Sequence, residues 1–128
     1  MFGANGERSW AQADWDPRFL YPQPGTDMEG AVFTVQHGLH KSVWVNTVVD
    51  LDAKHLQYVY FIPDVLVTTI DINFQPLDSG QTRVSVAYAR TALVAGANDH
   101  VRMLGEKDRG LGKHWQEAIN NYLQRRKP

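Results

Sequence analysis

Between Gly30 and Leu93 the chain is a succession of segments rich in Val, Ile, Thr and aromatic residues: "GAVFTVQHG", "SVWVNTVVD", "LQYVYFI", "VLVTTIDINFQP" and "QTRVSVAYARTAL". Only the breaks "HGLHK", "DLDAK", "PD" and "PLDSGQ" separate them. Such short breaks cannot carry the crossover that parallel strands need, so successive segments must pair as antiparallel hairpins. The last two segments alternate cleanly. Ile70, Ile72 and Phe74 oppose Asp71 and Asn73, and Val84, Val86 and Tyr88 oppose Arg83, Ser85 and Ala87. A sheet with one apolar and one wet face is covered on one side only.

The C-terminal stretch "NDHVRMLGEKDRGLGKHWQEAINNYLQRRKP" supplies the cover. Val101, Leu104, Leu111, Trp115, Ile119 and Tyr122 recur as one stripe of a helix. From about residue 98 to 124 that helix is roughly 40 Å long, enough to cross five strands. The expectation is a single α+β domain over residues 1–128: an N-terminal helix-and-loop segment over 1–29, a meander over 30–92 and a helix over 97–125. Asp108 interrupts the stripe, and Gly105, Gly110 and Gly112 dilute the helix. These glycines either admit a close approach to the sheet or loosen the helix for entry beneath it. Residues 1–29 are rich in Gly, Pro and aromatics: 7–13 could form a helical turn, and the prolines make "WDPRFLYPQPG" a loop. Trp10, Trp15, Phe19, Leu20 and Tyr21 are expected to pack as a lid or plug.

Several function classes are disfavoured. No apolar run is long enough to span a bilayer, and no basic-then-apolar leader opens the sequence. The chain has no cysteine, which permits a reducing compartment, and a cytoplasmic protein is expected. Residues 99–128 hold seven Lys and Arg against four Asp and Glu, while the formal net charge of the whole chain is −1. Cations at a helix C-terminus complement its dipole, and nucleic-acid binding calls for a larger basic excess. His37 and His40 flank Gly38 in a turn, His55 and His100 sit at loops or caps, and His114 adjoins Trp115. None has a metal-ligand spacing, and "RGLGK" lacks the preceding strand of a phosphate loop. No metal and no cofactor are expected.

The order of these segments resembles one family. The strand opening "GAVF", then "VWVNTVVD", "YVYFIP", "GQTRVSVAYARTAL" and "HWQEAINNYL", preceded by "GERSWAQADWDP", is similar to the SRPBCC superfamily. That START-like, helix-grip group includes lipid-transfer domains and polyketide cyclase/dehydrase-like proteins. The similarity runs from about Gly6 to Leu123 and rests on order and spacing, since no single motif in it is specific. It implies a curved antiparallel sheet of about five strands gripping the C-terminal helix around an apolar cavity. It also implies a first strand and most of a helix that would precede "GERSW" and are not in this sequence. In the helix-grip arrangement that strand pairs with the segment over 81–92, so its absence leaves an open edge and predicts a homodimer.

The cavity would be lined by inward residues, but the parity of "VWVNTVVD" is ambiguous. In the register adopted, Val43, Val45, Thr47 and Val49 face inward, with Val59 and Phe61 opposite, and Trp44, Tyr58 and Tyr60 form an outer aromatic patch. The other register would line the cavity with those rings. The candidate ligand-binding residues are Val45, Thr47, Val59, Phe61, Ile72, Val86, Tyr88, Asp108, Leu111 and Trp115. Asp108 would either face the cavity with a raised pKa or pair with Arg109, Lys113 or solvent. The function implied is binding of a hydrophobic small molecule or lipid. The alternative is a cyclase/dehydratase-like enzyme whose general acid–base groups sit in the same cavity; no catalytic residue stands out.

Overall fold

The computed structural model describes residues 1–128. A short helix α1 (Ala4–Glu7) precedes strands β1 (Arg18–Tyr21), β2 (Val32–His37), β3 (His40–Asp50), β4 (His55–Ile62), β5 (Leu66–Pro76) and β6 (Thr82–Ala92). A 3-10 turn (Ala95–Ala97) then leads into helix α2 (Asn98–Arg125). The six strands form one open antiparallel sheet in the order β1 to β6, so every neighbour in space is a neighbour in sequence. The α+β architecture has the expected order, with one strand more. β1 lies in the segment read as a loop. It has only four residues between Pro17 and Pro22, and prolines suit an edge strand, where an N–H can go unpaired. The helical turn expected over 7–13 instead forms at Ala4–Glu7.

The core sits on the face that α2 covers. β2 buries Phe33 and Val35, and β5 buries Leu66, Thr68, Ile70 and Ile72 with the period of two read from the sequence. Leu56 and Tyr58 of β4 complete the central cluster, against which Phe2, Phe74, Val86, Tyr88 and Trp115 pack. The N-terminal segment is clamped by specific bonds. Trp10 Nε1 donates to Met1 O at 2.7 Å, Trp15 Nε1 donates to Ala4 O at 3.0 Å, and the N–H groups of Asn5 and Gly6 donate to Asp27 at 3.0 and 2.9 Å. Gly3 has φ of 96°, and a Cβ there would stand 2.6 Å from Asp27 Cγ, so the clamp requires glycine. Trp10 is buried and Trp15 and Phe19 half-buried, whereas Leu20 and Tyr21 are exposed.

α2 is held differently. Its stripe of Val101, Leu104, Asp108, Leu111, Trp115, Ile119 and Tyr122 is half-buried, as its spacing predicts, yet none of its 28 residues is fully buried. It adjoins β6 and meets the N-terminal segment through Trp115, whose ring lies 5.5 Å from Trp10 and 6.3 Å from Phe2. Nothing lies within 4 Å of a Cβ built at Gly105, Gly110 or Gly112, which removes the close-packing explanation of these glycines. No helix is long and apolar enough to cross a membrane.

Candidate functional site

The inward face of β3 is set by its pairing with β2. Phe33 and Val35 face the core, and their partners across the ladder are Trp44 and Ser42, so Ser42, Trp44 and Asn46 face inward too. β4 follows, with Tyr60 opposite Trp44 and Tyr58 opposite Asn46. This is the opposite of the adopted register. Val45, Thr47, Val59 and Phe61 lie on the outer face of the sheet, away from α2. The cause is twofold. Val43 and Val45 are apolar yet lie on the outer face, while the inner face carries Ser42, Trp44 and Asn46, and a bulge at Thr47 shifts the pairing between Asn46 and Val48. Past the bulge Val49 pairs with buried Leu56 and packs on the core, so that one inward residue was read correctly. Thr47 is exposed and bonds to Gln57 at 3.0 Å. The aromatic patch is internal: Trp44 stacks on Tyr60 at 4.4 Å and on Phe33 at 5.6 Å.

Between α2 and this face lies a cleft of about 1060 Å³. Its apolar walls come from Phe2, Val49, Leu56, Phe74, Trp115 and Ile119, with Val86 between them. Of the residues predicted to line a cavity, Val86 and Trp115 do so. Ile72 is fully buried in the core on the same face, and Tyr88 is half-buried beside it. Leu111 is half-buried on the helix stripe. A separate pocket of about 230 Å³ brings His40 and His100 together with Ile62, Val65 and Val94, but no group of three metal-ligating side chains forms anywhere in the chain.

One end of the cleft is polar. Gly3, Asp27, Asn46 and Tyr58 line it. Asn46, 1% exposed, donates from Nδ2 to Met28 O at 3.2 Å. A carbonyl only accepts, so this bond orients the amide and leaves Oδ1 as its free acceptor, buried and without a partner. The Tyr58 hydroxyl is also buried and unpartnered. Glu7, 7% exposed, stands behind it. Burial, and then the charge of Asp27, push the Glu7 carboxyl up to about 8, against the opposing Gly3 backbone and Tyr58 hydroxyl. That hydroxyl is near enough to favour the ionised Glu7 without reaching hydrogen-bond geometry. Burial, followed by the charge of Glu7, raises the Tyr58 phenol well above its usual range. Glu7 is therefore largely neutral at pH 7. Of these residues only Tyr58 was a cavity candidate from the sequence, in the alternative register. The one available signal was Asn46 itself, a polar residue inside a valine-rich strand.

Toward the other end of α2, Asp108 accepts two bonds from Arg90, at 2.8 and 3.0 Å, in a pair whose side chains are 12% and 9% exposed. Arg90 also donates to Tyr60 Oη and, at 3.2 Å, to Thr68 Oγ1, and lies 5.2 Å from the Tyr88 ring centre. Burial alone would lower the Arg90 pKa, but Asp108 and Tyr60 outweigh it and raise it. Burial, then Asp108, raises the Tyr88 phenol. Asp108 thus faces the sheet, but its partner is neither Arg109 nor Lys113. On the outer face Asp71 bonds to His55, Gln57 and Asn73, and the His55 bond foremost lowers its pKa.

The fold and site define an α+β protein with an open six-stranded antiparallel sheet, a C-terminal helix and a cleft between them. No family model, characterised protein or solved structure matches this chain.

Proposed function

We propose that the protein binds an apolar small molecule or lipid in the cleft between the sheet and α2. The observation that carries this reading is the cleft's volume, about 1060 Å³, with walls of Phe2, Val49, Leu56, Phe74, Val86 and Trp115. That is the size and lining of a ligand site rather than of a packing defect. The element order and the helix over one sheet face support assignment to the SRPBCC superfamily. An environment-sensitive apolar dye should bind saturably, and Val86→Trp should abolish the saturable component. Unsaturable binding, or binding indifferent to that plug, overturns the reading.

A second reading has one observation in its favour. Asp27 and Tyr58 line one end of the cleft with Glu7 buried behind them, and a carboxyl pushed up to about 8 suits general acid–base work at neutral pH. This would be cyclase- or dehydratase-like chemistry; turnover of a polyketone substrate, lost in Glu7→Gln, would establish it. For assembly, we propose a homodimer. β6 pairs with β5 along all eleven residues and has no strand on its other side. A second copy can cover that edge. Light scattering at micromolar concentration should give twice the chain mass; a clean monomer refutes it. A chain without cysteine has no need of an oxidising compartment, which supports a cytoplasmic location.

A further inference from the structure

We propose that Asn46 and Tyr58 form a polar-head subsite in the cleft that selects an apolar molecule carrying a neutral hydroxyl group. This rests on the binding reading above and names the ligand class for it. The two residues are direct partners across the β3–β4 ladder, so their side chains rise side by side on the inward face, with Cβ atoms roughly 5 Å apart. Both line the cleft and both are more than nine-tenths buried; Asn46 Oδ1 has no partner, and the Tyr58 hydroxyl, beside the Glu7 carboxyl and the Gly3 backbone, has none in hydrogen-bond geometry. Unpaired buried polar atoms are costly, and a ligand that completes them regains that free energy on binding.

Their chemistry specifies the complement. Asn46 Oδ1 is a carbonyl oxygen and can only accept, and the Nδ2 bond to Met28 O fixes which amide atom is which; a ligand that completes Oδ1 must donate to it. The Tyr58 hydroxyl can donate, so the ligand must also accept. A hydroxyl is the smallest group that does both at once. A carboxylate meets the wrong surroundings: it has no proton for Oδ1, and the charge of Asp27 stands nearby. The one cationic side chain on the cleft wall, Arg83, is exposed at the start of β6, three strands or roughly 14 Å from β3; the N-terminal ammonium of Met1, also on the wall, acts on Glu7. A plain hydrocarbon fills the walls and leaves both polar atoms unpaired.

Naphthalene, 2-naphthol and 2-naphthoate share one flat apolar body and test the three cases, with affinities measured by quenching of tryptophan fluorescence at pH 7. Completing both atoms should make 2-naphthol bind about tenfold or more tighter than naphthalene. 2-Naphthoate should be the weakest. Tyr58→Phe removes only an unpaired hydroxyl, so the fold should tolerate it. It should shrink the advantage of naphthol over naphthalene to about threefold or less. Equal binding of naphthol and naphthalene, as when a retained water serves both atoms, overturns the subsite and leaves the cleft reading standing. So does a naphthol advantage that survives Tyr58→Phe, or a preference for naphthoate. Failure of all three to bind saturably overturns the cleft reading, and the subsite with it.

Discussion

The N-terminal segment and helix α2 cover the same face of the sheet by different physics. The first, residues 1–31, is largely irregular outside α1 and β1, yet it buries Ala4, Glu7, Trp10, Pro17 and Ala31 and is tied down by indole and Asp27 hydrogen bonds. The second is long and regular, yet it buries no residue fully and depends on Trp115 and one Arg90–Asp108 pair. Regular secondary structure is thus no guide to where the stability lies. The irregular segment belongs to the core, and the helix is a cover resting on a cleft.

The widest expected contrast is between Phe33 and the helix stripe. Phe33 is 1% exposed, stacks on Trp44 and meets Trp15 and Phe19. Phe33→Ala should cost about 3–5 kcal/mol in urea unfolding. A loss under about 1 kcal/mol would place the core elsewhere. Asp108→Ala tests the helix's attachment: stranding Arg90 without its partner should cost about 3 kcal/mol. The double variant Arg90→Met with Asp108→Leu should recover most of that loss. If it recovers nothing, packing rather than charge holds α2.

Glu7 sharpens the comparison from the other side. Its folded pKa of about 8 lies above its ordinary 4.5. Between those values the unfolded chain has lost a proton that the folded chain keeps, so stability falls as pH rises from about 5 to 8 and then levels. Glu7→Gln should remove this slope and gain on the order of 2 kcal/mol at pH 8. An unchanged slope would mean that the carboxyl is hydrated. The smallest effect belongs to half-buried Leu104, whose truncation to Ala should cost under about 1 kcal/mol. In hydrogen exchange the amides of α2 should open locally, well before those of β4 and β5. Simultaneous exchange would show that helix and sheet unfold as one unit.

The elements were legible where periodicity was clean. The faces of β5 and β6 and the stripe of α2 lie where their spacing puts them, because one side of each meets water and the other does not. Parity failed in β3, where Val43, Val45 and Val48 lie on the outer face and Ser42, Trp44 and Asn46 on the inner one, and the bulge at Thr47 moves the pattern by one residue. β1 was illegible because four residues between prolines are too few to show alternation. The polar end of the cleft joins residues 3, 7, 27, 46 and 58, which only the packing of the N-terminal segment brings together. Asp108 was correctly placed on the stripe. Its partner is 18 positions away on another layer, beyond the reach of helical spacing.

Gly105 and Gly110 need no space for a neighbouring backbone, since a methyl group at either would touch nothing. Each instead lowers the helix's own stability by about 1 kcal/mol relative to alanine. Together that is roughly a thirtyfold difference in how often this part of α2 melts. For a molecule held beneath the helix, that frequency is a clock. Replacing both glycines with alanine should leave the equilibrium affinity near its original value while lengthening the bound lifetime, read as slower release of dye in stopped flow. An unchanged release rate would separate the melting of this part of α2 from the exchange of the proposed ligand.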